Sequence, residues 1–452
     1  MAGMFGTDGV RARINTGPMT AEAIVRLALA SGRWFINSNK ERTGRPLVVI
    51  GKDTRVSGYM VEAALVAGFT SIGMDCRLLG PMPTAGVSYL TQSLRADLGV
   101  MISASHNPFH DNGIKLFGPD GSKLADEIED GISTLAAGSI ALSEPTDLGR
   151  ASRMLDSVGR YVEFAKSTLD PQVRFDGIKV VVDCANGAAY RTAPDTLNDL
   201  GAEVIPLAAD PDGFNINEGC GAVHPEVMAA AVVAHGADAG IALDGDADRL
   251  IASDENGRII NGDQLLACLA SSMHDGGSLL GDGVVGTVMT NGGIETCLAD
   301  QGLKLHRARV GDRYVLEMMR AGGMNLGGES SGHILMTSLC PSGDGLIAAL
   351  QMLHILSRAP NPASETFHMF TPKCQRLENL RDMDGAILDR PVIRDALAGI
   401  GADLGDAGRI LVRPSGTEPL VRVMVEADTE ELLQRKMDEI ILLLQDEAKK
   451  SA

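Results

Sequence analysis

Residues 98–117, LGVMISASHNPFHDNGIKLF, carry the reading on which the fold turns. The run LGVMI is short and apolar throughout, as a strand buried on both faces must be. It breaks into Ser-Ala-Ser-His-Asn-Pro, and Asp111-Asn112-Gly113 marks a second turn before Lys115. A serine at a strand exit is well placed as a nucleophile or phosphate carrier. His106, Asn107 and Lys115 supply donors or positive charge around it. A serine-rich turn beside a core histidine explains a lone SASH tetrapeptide, but not the whole stretch.

Outward from this strand the chain alternates short apolar strands with amphipathic helices. A helix is expected at 21–37, strands at 47–51 and 76–79, and a helix at 58–73 between those strands. Such alternation predicts parallel α/β layers. The pattern restarts after 149–155 and again after Glu255, and 360–363 reads as a further linker. The last ~85 residues read strand, helix, strand, loop, strand, helix, with Asp428 as the expected cap of the final helix. A chain of 452 residues has room for about three domains, with a range of two to four. The divisions drawn are three similar α/β domains, 1–153, 154–254 and 255–365, and a C-terminal α+β domain, 366–452.

Composition excludes several classes. A net charge of −19 argues against a broad nucleic-acid surface, which needs a basic footprint. Seven scattered cysteines without a CxxC pair fit neither a disulfide framework nor a zinc ribbon. No apolar run reaches ~18 residues, so no membrane span is expected. Residues 1–13 lack a signal-peptide pattern, and a cytoplasmic location is expected. Three motif matches mislead. GDGVVG at 281–286 overlaps a strand-like run instead of opening a helix, so a dinucleotide site is not expected. GESSG at 328–332 is followed by a strand-like stretch rather than the helix a nucleophile elbow requires. Asp244-Gly-Asp-Ala-Asp248 resembles a calcium loop, but Arg249 stands where an EF-hand needs glycine.

Asp244, Asp246 and Asp248 alternate; in an extended segment all three would point one way. Carboxylates that close repel unless a cation lies between them, and hard oxygen ligands favour magnesium or manganese. Arg413-Pro-Ser-Gly-Thr-Glu-Pro-Leu-Val-Arg422 sets two arginines around a hydroxyl-and-glycine loop, suited to a phosphate dianion. Glu329, Ser330, Ser331 and His333 offer groups that suit a polyol. A phosphate-carrying serine, a metal site, a phosphate cradle and a hydroxyl-reading loop, without a Walker A sequence or kinase motifs, point to phosphate moved within one sugar.

These residues resemble the α-D-phosphohexomutase family. The likeness runs from FGTDGVR at Phe5 through GKDTRVSGYM at Gly51, ISASHNPFHDNGIK at Ile102 and NINEGCGAVHPE at Asn215. It continues with DGDADR at Asp244, VGDRYV at Val310, GESSGH at Gly328 and RPSGTEPLVRVMVE at Arg413. The start at Phe5 and the stretch from Asn215 resemble the glucosamine branch more than the phosphomannomutase or phosphoglucomutase branches, which remain the alternative; a metal-dependent phosphatase is the rival outside the family. The resemblance implies four domains around a central active-site cleft. It implies phosphoserine at Ser105 and one Mg2+ per chain on Asp244, Asp246, Asp248 and a phosphoserine oxygen. It assigns Arg413, Ser415, Gly416, Thr417 and Arg422 to the non-reacting phosphate, and Glu329 and Ser331 to sugar hydroxyls. His106, Lys115, His333, Arg11 and Arg249 fall around the reacting phosphate, with Lys115 or His333 as general acid or base.

The implied reaction interconverts glucosamine 6-phosphate and glucosamine 1-phosphate for UDP-N-acetylglucosamine and cell-wall precursor synthesis. A bisphosphorylated glucosamine serves as intermediate and activator; the implied partners are a small phosphosugar and a second copy in a homodimer. Two positions depart from the family pattern. Arg11-Ala-Arg13 replaces a common Arg-Gly, and Ala247 stands where many relatives have glycine. A methyl there is expected to exclude a left-handed backbone.

Overall fold

The computed structural model describes residues 4–6, 8–38, 43–381, 383–414 and 420–449. They form four sheets. The first runs, in spatial order, Val10–Arg13, Asp111–Phe117, Leu98–Ile102, Leu47–Lys52, Asp75–Pro81, Ala151–Arg153. The second runs Ile259–Ile260, Leu250–Asp254, Ala239–Leu243, Lys179–Asp183, Glu203–Leu207. The third runs Lys304–Ala308, Gly283–Thr287, Leu326–Gly328, Ile334–Met336, and the fourth Cys374–Arg381, Leu420–Ala427, Gly408–Pro414.

The expectation of parallel layers holds for part of each of the first three sheets. Leu47–Lys52 pairs in parallel with both of its neighbours, but Asp111–Phe117 returns antiparallel to Leu98–Ile102. Leu250–Asp254 returns antiparallel to Ala239–Leu243, and Ile334–Met336 to Leu326–Gly328. Strand–helix alternation signals parallel pairing only where a helix intervenes. Eight, six and five residues separate these pairs, too few for a crossover, so the chain must turn back. The returns matter, because the joining segments are 103–110, 244–249 and 329–333. The serine motif, the aspartate motif and the GESSGH motif are hairpin connections of three successive sheets. Residues 415–419, which join the strands of the fourth, lie outside the described residues, as do Ser415, Gly416 and Thr417.

Strand 98–102 and strand 239–243 lie where the apolar runs place them. Residues 151–153, read as linker, instead form an edge strand of the first sheet. The last helix, Glu430–Lys449, is capped by Thr429, whose Oγ1 accepts from Leu432 N at 3.3 Å, and not by Asp428. All seven cysteines are free thiols, five of them buried.

One apolar cluster extends from Val49 through Val180 and Leu346 to Phe367, so the first three sheets share a continuous core. Tyr161, fully buried, donates to Asp344 at 2.9 Å, and Asp344 in turn caps the helix Gly345–Arg358. The fourth sheet packs on the helices Pro391–Leu404 and Glu430–Lys449 around a cluster of its own. It meets the third domain through polar links: Arg409 joins Glu426 (2.9 Å) to the carbonyls of Val288 and Thr290 (2.7 Å each).

Candidate active site

The first sheet delivers Ser105 just past its strand end. Ser105 is 2% exposed, with φ at +51°. A left-handed residue with a side chain costs about 1–2 kcal/mol, so neighbours must hold it. Its N–H donates to Ser103 Oγ (2.9 Å), which donates to Asp53 Oδ2 (2.7 Å). Its carbonyl accepts from Arg55 Nη2 and Asn217 Nδ2, each at 2.9 Å. Arg55 is 1% exposed, pairs with Asp53 at 2.8 Å, and also donates to Asn107 O (2.7 Å) and Asp111 O (3.1 Å). One guanidinium thus holds the carbonyls of Ser105, Asn107, Pro108 and Asp111, while Asn217 clamps the loop from the second domain.

The second sheet brings the aspartates. Asp244, Asp246 and Asp248 are buried, with one oxygen of each within 4.8 Å of the others. They converge because the segment turns, not because it is extended. The expectation for Ala247 is also overturned: it takes φ +58°, left-handed despite its methyl. Its N–H donates to Asp244 O (3.0 Å) and its carbonyl accepts from Gly345 N (2.9 Å), bonds that offset the strain. Gly245 has no such latitude, since a Cβ there would lie 2.6 Å from Ser105 O. Ser105 Oγ donates to Asp244 Oδ2 at 2.6 Å, so the serine and the acidic cluster are one unit across two domains.

Burial, then the charges of Asp248 and Asp246, push Asp244 up to about 8. Among the described residues, Asp246 Oδ1 and Asp248 Oδ1 are buried without hydrogen-bond partners. Unsatisfied hard oxygens in a tight triad fit a divalent cation of the magnesium class.

Cations surround the triad. Lys115 lies opposite Met101 in the first sheet, and this register carries Nζ to Asp246 (2.8 Å), Asp248 (3.0 Å) and Asp8 (3.2 Å). Burial opposes its charge, but the three carboxylates outweigh burial and hold the ammonium well above its ordinary value. His106 Nδ1 is 3.4 Å from Ser105 Oγ; burial, then Arg249 and Arg11, drive it down to about 4, so it is neutral at pH 7. Arg11 pairs with Asp8 at 2.9 Å. Arg249 Nε lies 3.9 Å from Asp248 and has no hydrogen-bond partner among the described residues.

The third sheet adds His333, 5% exposed, between Asp248 (3.6 Å) and Asp312 (3.5 Å). Burial resists its protonation, yet these carboxylates raise its pKa. Glu329 accepts from Gly311 N at 2.9 Å, tying 329–333 to the VGDRYV segment, and Ser331 is half-buried beside it. On the fourth sheet Arg413 and Arg422 are directly opposed. Like charges so placed repel, burial and Arg422 both lower the pKa of Arg413, and Arg422 Nε has no hydrogen-bond partner among the described residues. Two guanidiniums held this way favour an anion between them.

Four models of one family match in order: the phosphoglucomutase/phosphomannomutase α/β/α domains I, II and III at residues 2–140, 159–257 and 261–373, and its C-terminal domain at 375–443. The chain belongs to the phosphoglucomutase/phosphomannomutase family. It is 55% identical over 439 residues to the phosphoglucosamine mutase of Granulibacter bethesdensis, covering 97% of this chain and 95% of that one. The phosphoglucosamine mutase of Paracoccus denitrificans is likewise 55% identical, with 97% and 98% covered. In fold it is similar to a phosphoglucomutase/phosphomannomutase family protein from Burkholderia thailandensis, with TM-score 0.83, 24% identity, and 99% and 98% covered. It also matches the Aspergillus fumigatus N-acetylphosphoglucosamine mutase, solved with GlcNAc-6P and magnesium, with TM-score 0.65, 19% identity, and 98% and 95% covered.

In this member of the phosphoglucomutase/phosphomannomutase family, Ser105, His106, Lys115, Asp244, Asp246, Asp248, Arg249, His333 and Arg11 gather around one cluster. Arg413 and Arg422 stand apart on the C-terminal hairpin, with no described hydrogen bond or ion pair to that cluster. Sequence reasoning missed Asp8, Lys123 and Asp312. Lys123 bridges the other two, at 2.5 Å from Asp312, and so ties the first domain to the third. It also missed Thr84, which donates to Asp246 at 2.5 Å, and the clamps Asp53, Arg55 and Asn217. Asp8, Asp53, Arg55, Asn217 and Asp312 all lie inside the quoted motifs, so the signal was present. Many of their partners lie tens to hundreds of residues away and were not visible.

Proposed function

We propose that the chain is a phosphoglucosamine mutase, an intramolecular phosphotransferase that interconverts glucosamine 6-phosphate and glucosamine 1-phosphate in the cytoplasm. The product would feed synthesis of UDP-N-acetylglucosamine and cell-wall precursors. The observation that carries this reading is Ser105 Oγ, 2.6 Å from Asp244 inside the triad, in a chain similar to phosphoglucosamine mutases over nearly its whole length.

Ser105 is assigned as the phosphorylated residue, which hands its phosphoryl group to the free hydroxyl of the monophosphate. The Oγ–P bond breaks as the sugar O–P bond forms. The hydroxyl loses one proton and Oγ regains one, carried by Lys115 or His333. The bisphosphorylated glucosamine then turns end for end, and its other phosphate returns to Ser105. Asp244, Asp246 and Asp248 would hold one Mg2+, which when bound offsets charge on the transferring group. Lys115, Arg249 and Arg11 add positive charge around that group, and neutral His106 offers a ring nitrogen close to Oγ. Glu329 and Ser331 would read sugar hydroxyls, and Arg413 with Arg422 would grip the phosphate at rest. The burial of Ser105 supports the reading, because a phosphoserine open to water would be lost by hydrolysis. Domain limits at 153/154, 254/255 and 365/366, and assembly as a homodimer, belong to the same proposal.

Side-by-side turnover of glucosamine, glucose and mannose phosphates tests it, with intact mass read on the same sample. Preference for glucosamine phosphate and one added phosphate on Ser105 are expected. Net release of free phosphate would replace the mutase by a phosphatase.

A further inference from the structure

A cavity of about 230 Å³ opens between the first two domains, and none of the side chains assigned to the serine–aspartate centre lines it. Its polar wall includes Arg153, Arg191, Glu62 and Thr192, and its apolar floor includes Leu79, Pro81 and Met154. Thr192 is fully buried, and its hydroxyl has no hydrogen-bond partner among the described residues. A buried hydroxyl in that state is a standing cost, which an acceptor in the cavity would remove. Glu62 is already neutralised by Lys52 at 3.0 Å. Arg191 lies over the Tyr190 ring, 5.2 Å from its centre, and neither it nor Arg153 is paired with a carboxylate among the described residues. The uncompensated charge of the cavity is therefore positive.

We infer that this cavity binds a small phosphorylated metabolite that also carries hydroxyl groups. Two guanidiniums and a hydroxyl donor match a phosphate. Glu62 has a second oxygen to accept from a hydroxyl, and the apolar floor takes the face of a ring. The position makes this an effector site. Ala188 lines the cavity, and its N–H holds the carbonyl of Gly245 at 2.8 Å, within the aspartate hairpin. Lys52, the partner of Glu62, directly precedes Asp53, which anchors the serine loop through Ser103. A ligand seated here touches the supports of both loops without entering the centre itself.

Titration calorimetry on the full chain tests this with inorganic phosphate, uridine 5′-monophosphate and glucose 6-phosphate. The proteins compared are wild type, Arg153→Ala/Arg191→Ala and Thr192→Val. Uridine monophosphate, or a second equivalent of glucose 6-phosphate beyond the one taken at the Ser105 site, is expected to bind wild type. Its affinity should fall at least tenfold in the double arginine variant and several-fold in Thr192→Val. Which of the two organic probes is lost tells a nucleotide site from a sugar-phosphate site. Without probe, Thr192→Val should melt no lower than wild type, because its hydroxyl has no bond to lose. Binding unchanged in the double variant, or absent in all three proteins, overturns the inference. So does inorganic phosphate as the sole binder, which marks an adventitious ion only. A lower melting point for ligand-free Thr192→Val overturns the role given to its hydroxyl.

Discussion

The serine–aspartate centre and the C-terminal arginine hairpin are built on opposite plans. The centre is buried, its loops come from three sheets that share one core, and carboxylates and cations cross-link those loops. The hairpin belongs to a domain with its own core, attached to the third domain by polar links, and its arginines are only half-buried. A group that makes and breaks P–O bonds gains from fixed charges that need no rearrangement during the reaction. A group that only holds one end of a substrate has no such need, and a domain with its own core can shift as a body. The bisphosphorylated intermediate proposed above would have to turn over between two half-reactions, and a rigid centre with a separable clamp would suit it.

The strongest attack on this contrast is Ser105→Ala. Turnover should vanish while the melting temperature stays near that of wild type, because only a hydroxyl is removed. Full activity in a steady-state assay would end the role of Ser105 and leave the buried centre without a purpose. Chelation comes next: excess EDTA should silence the enzyme and added magnesium restore it. Persistence of the full rate in chelator would show that the triad works with protein cations alone. Arg422→Ala probes the other side. A charge-assisted phosphate contact is worth about 1.5–3 kcal/mol, so KM should rise roughly ten- to a hundredfold. Phosphate on Ser105, read by intact mass, should not change. A matching loss of phosphoserine would erase the division between centre and clamp. The mildest change is Ala247→Gly. Relief of left-handed strain and the greater freedom of glycine in the unfolded chain nearly cancel, leaving a net effect within about 1 kcal/mol. The melting temperature should move by no more than roughly 2 °C. A large drop would mean that the Ala247 methyl packs against something essential.

Much of the centre was legible because its motifs sit at strand ends, and apolar strands announce themselves. The direction of the return strands was less legible, since an apolar run carries no sign of which way it pairs. Only the spacing between runs does, and eight, six and five residues decide it. Ala247 was misread because the preference of an isolated residue was applied where two backbone hydrogen bonds overrule it.

By itself the sequence determined which groups the protein can offer: a serine after LGVMI, three alternating aspartates, the GESSGH loop and two arginines nine residues apart. It also determined that four domains would carry them. Only the tertiary structure decided that the first three hairpins meet while the fourth keeps its own core. It alone set Ser105 against Asp244, 139 residues away. Lys123 serves both Asp8 and Asp312 for the same reason. Charges find partners through space, and separation along the chain does not limit which of them are brought within a few ångströms.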